Sequence, residues 1–348
     1  MRKLITIILS ITILFSVAIL SVACGNDNET RPETPLRERG TSQPQNNDDD
    51  REAEPTPPPT QPDIDFTSVD DFEYDYHPET LGIMITRYIG SSIDVRIPSE
   101  IEGRPVTVLR GAFRNSGVNT VIMPDTLLII DDRTFEEASG ITDIIIPDSV
   151  THIGVSAFQK CINLASVIIG NSVITIEENA FESCSNLSEV IIPDSVTVIG
   201  ESAFARTSNL RTVILGNSVE SIGIFAFGAS GITNIVIPDS VTVIGINAFT
   251  STKLESVSIG NGVEIIEIGA FSGNNYLTDV TLGNNVTTIE DAAFSSKNLR
   301  SINIPDSVIF IARDAFHDTQ LPNDVIDKIY EINPYAFSCC PENRCSNR

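Results

Sequence analysis

The sequence predicts a β-rich repeat solenoid of about ten stacked coils of 22 to 23 residues, and three observations carry that reading. A single skeleton, L-x-x-V-x-I-[PG]-[DN]-S-V-x-x-I-x-x-x-A-F-x-x-C, starts nine times, at Val118, Ile141, Leu164, Leu187, Leu210, Ile232, Leu254, Leu277 and Leu299. From each start to its phenylalanine (Phe135, Phe158, Phe181, Phe204, Phe227, Phe249, Phe271, Phe294, Phe316) the offset is always 17 residues, so the short loop after the phenylalanine absorbs every length change. The chain is 41% hydrophobic with no tryptophan, which suits a core of aliphatics and one phenylalanine per coil. One such unit could not bury its Val, Ile and Phe; stacked units can, each covering the apolar face of the next.

Within a coil, Leu164, Val167 and Ile169 should point inward from a short strand while Ser166 and Ile168 point outward, following the period of two. Pro or Gly at the seventh position ends the strand, and Asp or Asn followed by Ser supplies turn chemistry through short side-chain oxygens. Val173 and Ile176 open a second inward run, and Ala180 and Phe181 close the coil in what reads as one helical or 3-10 turn.

The units with IPDSV (Pro147, Pro193, Pro238, Pro305), the alternating IGNSV forms at Gly170 and Gly216, and the A-F-x-x-C ends at Cys161 and Cys184 resemble the BspA-like, or treponemal-type, leucine-rich repeats of bacteria. The resemblance covers roughly 94–337. It implies a leucine-rich-repeat arc, usually on a bacterial surface, in a family whose members include adhesins for host matrix proteins.

Along the chain, residues 1–23 read as an export signal: Arg2 and Lys3, an apolar run from Leu4, then LSVA before Cys24. The cysteine at that place resembles a bacterial lipoprotein site, with Cys24 the lipidated first residue of the mature chain. Ser21 departs from the usual leucine there, and an uncleaved membrane anchor is the alternative. Either way the repeats are exported. Residues 24–65 carry PETP, NNDDD and EPTPPPTQP with almost no large apolar residue, the composition of a disordered, partly polyproline tether.

Residues 66–117 depart from the skeleton and should form an N-terminal β cap and first coil, with alternating runs around 83–88 and 93–97, Gly103-Arg104-Pro105 inserted in the first turn and Phe113 its closing aromatic. Residues 118–320 are the repeat array. In 321–348, Val325, Ile326, Ile329 and Ile332 at helical spacing behind Asn323 predict a capping helix stopped at Pro334, then a tail with Cys339, Cys340 and Cys345.

Charge and chemistry narrow the function. A formal charge of −25 argues against nucleic acid and against adsorption to anionic lipid, leaving the N-terminal lipid as the membrane contact. Cys161 and Cys184 share one repeat position in neighbouring coils, where other units carry residues such as Thr207, Thr252 and Lys297; buried free thiols and a bridge between coils are both open. The tail cysteines fit an internal disulfide better than zinc. The Asp/Asn ladder at 125, 148, 171, 194, 217, 239, 261, 284 and 306 could in principle hold calcium, but each member sits in a turn that uses its side chain locally. His77, His152 and His317 stand in no catalytic spacing, so no enzyme, metal or cofactor is expected.

What remains is a surface-exposed binding module that takes an extracellular protein or glycan on its concave strand face; a spacer without a ligand is the alternative, and a polysaccharide-active enzyme a remote one. The outward middle residue of each strand reads Ile122, Ile145, Ile168, Ile191, Ile214 and Val236, then Ser258, Thr281 and Asn303. Six aliphatic rungs ending at one boundary make the candidate ligand-binding strip.

Overall fold

The computed structural model describes residues 62–337. They form a β-solenoid whose interior holds one column of phenylalanine rings. From Phe113 to Phe316 successive rings lie 4.9 to 5.7 Å apart between centroids and within 13° of parallel. Phe72 and Tyr88 extend the column at the N-terminal end, and Phe337 and Tyr330 at the other. The constant offset of 17 produces this register, because each coil returns its phenylalanine to the same place one strand spacing further on. Every ring from Phe113 to Phe316 is fully buried.

The turn around each ring is not helical. Asn179 (φ +57) and Ser183 (φ +61) flank Ala180-Phe181 in the left-handed region, and equivalent residues recur through the array. A right-handed helical turn cannot run through such residues, so the predicted helical turn is replaced by two tight turns. Their backbone is satisfied between coils: Phe181 N–H donates to the Ala203 carbonyl and Phe204 N–H to that of Ala226, both at 2.7 Å. Ala keeps this corner small enough for the coils to approach.

Two ladders of short parallel strands flank the column. One runs through pairs such as Thr175–Ile176 and Val198–Ile199, continuous from the cap to Val243–Ile244 and resuming from Ile265–Ile266 to Phe310–Ile311. The other is built from the V-x-I strands. Ser166–Ile168 lies in parallel register on Asp143–Ile145, with Val167 buried and Ile168 outward, as the alternation predicts.

The N-terminal cap contains β1 (Phe72–His77), β2 (Gly82–Tyr88), β3 (Asp94–Arg96), β4 (Glu100–Ile101) and β5 (Arg104–Leu109). Strands β2 and β3 match the predicted runs. Strand β1, antiparallel to β2, was not legible because FEYDYH has only one apolar anchor, Phe72, that is fully buried. Of the expected Gly103-Arg104-Pro105 turn only Gly103 lies in one: Glu102-Gly103 joins β4 to β5 with positive φ at both residues, as a type I′ hairpin requires, and Arg104 and Pro105 begin β5.

At the other end α1 (Asn323–Ile332) covers the last coil. Ile329 is fully buried, and Val325, Ile326 and Ile332 pack partly buried against the core. Asn323 is the first helical residue and not the cap: Pro322 holds the cap position without a side-chain bond, and its carbonyl takes the Ile326 N–H at 3.0 Å. Asn333 ends the helix and donates from Nδ2 to the Ile311 carbonyl at 2.7 Å.

Candidate functional site: a broken strand face

The V-x-I ladder is interrupted before three of the proline coils. These strands pair as Asp94–Arg96 with Thr120–Ile122, Asp143–Ile145 with Ser166–Ile168, Glu189–Ile191 with Thr212–Ile214, and then as an unbroken run of four from Asn234–Ile237 to Ser301–Ile302. Each interruption precedes a coil whose strand is followed by Pro147, Pro193 or Pro238. In a glycine coil the residue at that place can donate backward, as Gly260 N–H does to the Ile237 carbonyl at 2.9 Å. Proline has no N–H to give. The bond that opens a strand, 2.9 Å from Arg211 N to Ser188 O inside a pair, lengthens to 3.4 Å at Ser188–Ala165 and Thr233–Arg211 across the breaks.

Proline does not break the ladder everywhere: the Pro124 coil pairs with Asp94–Arg96, and the Pro305 coil stays joined to the coil before it. Asn303 supplies the missing donor: its Nδ2 donates to the Leu282 carbonyl at 3.0 Å, and its Oδ1 accepts the Leu282 N–H at 2.7 Å. The residue that the sequence placed as the last polar rung is thus a splice between coils.

Glycine coils close tightly on the proline coil before them. A Cβ on Gly170 would lie 2.2 Å from the Pro147 carbonyl oxygen, and one on Gly216 2.5 Å from that of Pro193, so no larger residue fits without a shift. The turn aspartates join the same contact: Asp148, Asp194 and Asp239 accept the backbone N–H of Asn171, Asn217 and Asn261 at 2.7 to 2.8 Å. These side chains therefore act between coils, whereas the sequence reading kept them within their own turns.

Two of the three breaks open into depressions of about 440 Å³ each. The first is floored by Ile168 and Ile191 and edged by Asp148, Glu189 and Pro193. The second is floored by Ile214 and Val236 and edged by Pro238 and Asp279. Relative exposure along the expected strip runs from 8% at Ile122 through a half-buried Ile145 to 37% at Ile168, 54% at Ile191, 53% at Ile214 and 70% at Val236. The strip is therefore four rungs long instead of six. Ile122 is paired with Arg96, whose guanidinium lies 4.3 Å from the Phe66 ring centroid and donates to the Ile64 carbonyl, so the lead-in segment closes that end. Ser258, Thr281 and Asn303 are exposed beyond Val236, as expected.

The rim is acidic. Exposed Asp143, Glu189, Glu255 and Asp279 stand at or beside the strand starts, and Asp148, Asp194 and Asp239 in the turns; Arg211 is the single base at these positions in the coils starting at 141 to 277. Other expected site residues fall elsewhere. Cys161 and Cys184 are buried free thiols whose Sγ atoms donate to the Phe135 and Phe158 carbonyls at 3.0 and 3.1 Å. Burial pushes the Cys184 thiol well above its ordinary range. In the coil starting at Leu277 the buried counterpart is Ser296, and Lys297 is exposed. His77 Nδ1 bonds Thr80 and His152 Nδ1 bonds Thr175, each a structural contact. Among the described residues no group of three or more His, Cys, Asp or Glu could hold a metal ion. Cys24, Cys339, Cys340 and Cys345 lie outside the described residues.

This geometry defines a bacterial-type leucine-rich-repeat solenoid, with its open surface on a strand face. The chain belongs to the BspA-type leucine-rich-repeat family, whose model matches residues 107–231 and 220–344. Its fold is similar to that of a leucine-rich repeat protein from Bacteroides ovatus ATCC 8483, at 24% identity and a TM-score of 0.52, covering 73% of this chain and 81% of that one. Further matches are a Treponema pallidum leucine-rich repeat protein (24% identity, TM-score 0.45, 79% and 100% covered) and a leucine-rich cell surface protein from Faecalibacterium prausnitzii A2-165 (23%, 0.44, 74% and 81%). A comparison with curated proteins finds none that matches.

Proposed function

We propose that this protein is exported, lipid-anchored through Cys24 and displayed on the bacterial surface, where its strand face binds an extracellular protein or glycan. The observation that carries the reading is the coincidence of the exposed aliphatic strip, Ile168 to Val236, with the two depressions on the same face. Strand propensity explains branched residues on an exposed ladder. It does not explain why they stand over the breaks and stop at Ser258. Leucine-rich-repeat solenoids are scaffolds, and we read this one as non-catalytic, with no cofactor and no nucleic-acid partner.

The test is capture of purified matrix proteins and glycans by the mature protein. The double change Ile168→Asp with Ile191→Asp should abolish capture while circular dichroism stays unchanged, and Thr281→Asp should leave capture intact. A wild-type protein that captures nothing is a spacer.

A further inference from the structure

The binding reading above leaves the partner's chemistry open, and the rim supplies it. We infer that the strand face takes a cationic polypeptide segment in an extended, polyproline II-like form, with aliphatic side chains recurring about every third residue. The inference rests on that binding reading and adds charge and spacing to it.

Charge comes first. Glu189, Asp194 and Asp239 flank the four rungs against Arg211 alone, Asp143, Asp148, Glu255 and Asp279 stand in the coils on either side, and both depressions carry a carboxylate at the edge, Glu189 in one and Asp279 in the other. An aliphatic group entering a depression brings its neighbours within reach of these acids, where Lys or Arg is attracted and Asp or Glu repelled. A second copy of this face would set acid against acid. Residues 24–65 of the same chain are acidic in balance and are disfavoured for the same reason.

Spacing comes second. The depressions recur every second coil, as the Pro193 and Pro238 breaks dictate, so equivalent floor residues such as Ile191 and Val236 stand about 10 Å apart at the usual strand spacing. A β-strand laid along the array returns side chains to one face about every 7 Å, which fits neither one coil nor two. A polyproline II segment returns them every third residue, about 9 Å, which fits two. Its backbone is solvated and needs no partner strand.

The probe is a fluorescein-labelled peptide of about five Lys-Pro-Ile triplets, read by fluorescence anisotropy against the mature full-length protein. Peptides of Glu-Pro-Ile and Lys-Pro-Ser triplets of equal length are the controls. Binding of the first peptide alone is expected, weakening as salt rises. Two folded double variants, Glu189→Lys with Asp279→Lys and Ile191→Ser with Val236→Ser, should each weaken it roughly tenfold or more. Equal binding of the Glu and Lys peptides, or undiminished binding by either variant, overturns the inference. Capture of a neutral glycan by this face without peptide binding also overturns it and leaves the binding-module reading standing. Failure of the face to capture any protein or glycan removes both.

Discussion

Asp194 Oδ1 accepts the backbone N–H of Asn217 at 2.7 Å, a bond that passes from one coil to the next. The carboxylate is exposed, so water competes for both groups and the net worth of the bond is small. Asp194→Ala should cost on the order of 1 kcal/mol in denaturant melting. Asp194→Asn keeps an acceptor oxygen and should lose less. A loss of several kcal/mol for the alanine change would mean that the turn is held by something other than this bond.

The contrast is Phe204. Its ring is fully buried between Phe181 at 5.1 Å and Phe227 at 5.4 Å. Phe204→Ala leaves an aromatic-sized cavity in a continuous column and should cost about 3 to 5 kcal/mol. Because neighbouring coils share the column, the loss should spread along it, lowering amide protection at Ala203 and Ala226 as well as at position 204. Equal losses for Phe204→Ala and Asp194→Ala would reverse the assignment of interior and surface.

The phenylalanine column was legible because it needs only a constant offset, and the inward residues because alternation on a three-residue strand leaves one choice. Other features depend on relations that no single repeat contains. The Pro and Gly coils alternate openly from Pro147 to Gly260, yet nothing within one repeat tells which of them leaves the coil before it unpaired. Ile122 matches Ile168 in the skeleton, and only the packing of Phe66 and Arg96 at the end of the array distinguishes them. Asn303 reads as one more polar rung until its amide is seen spanning to Leu282. The left-handed residues escaped for a different reason. Asn179 and Ser183 are not glycines that would signal positive φ; Gly111 in the first coil marks the first of the two places, and Gly269 and Gly273 in a later coil mark both.

The proposed lipid anchor rests on Cys24, which the sequence places directly after a basic, then apolar, then small-residue leader. Cys24→Ala should leave an unprocessed or mislocalised precursor. Mass spectrometry of the mature wild-type protein should find the N-terminal cysteine diacylated; a cleaved, soluble chain with an unmodified Cys24 would refute the anchor.

The Pro193 and Pro305 junctions give paired predictions. Asn303→Ala removes the splice across the Pro305 coil, so the Leu282 N–H and carbonyl lose their partners and the ladder should open there as it does at Pro193. The expected cost is about 1 to 3 kcal/mol, set by the unsatisfied backbone groups and moderated by whatever water reaches them. Hydrogen exchange at the Leu282 amide should quicken. Pro193→Gly does the reverse, giving position 193 an N–H that the Ile169 carbonyl can accept, so the new amide should be protected. Stability need not rise, because glycine adds freedom to the unfolded chain worth about 0.4 to 1 kcal/mol. The first depression should close as Glu189–Ile191 draws onto Ser166–Ile168, and capture by the strand face should weaken although neither Ile168 nor Ile191 has been changed. If the amide introduced at position 193 exchanges as fast as one in an open loop, proline alone does not break the ladder, and the break belongs to the twist of the coils themselves.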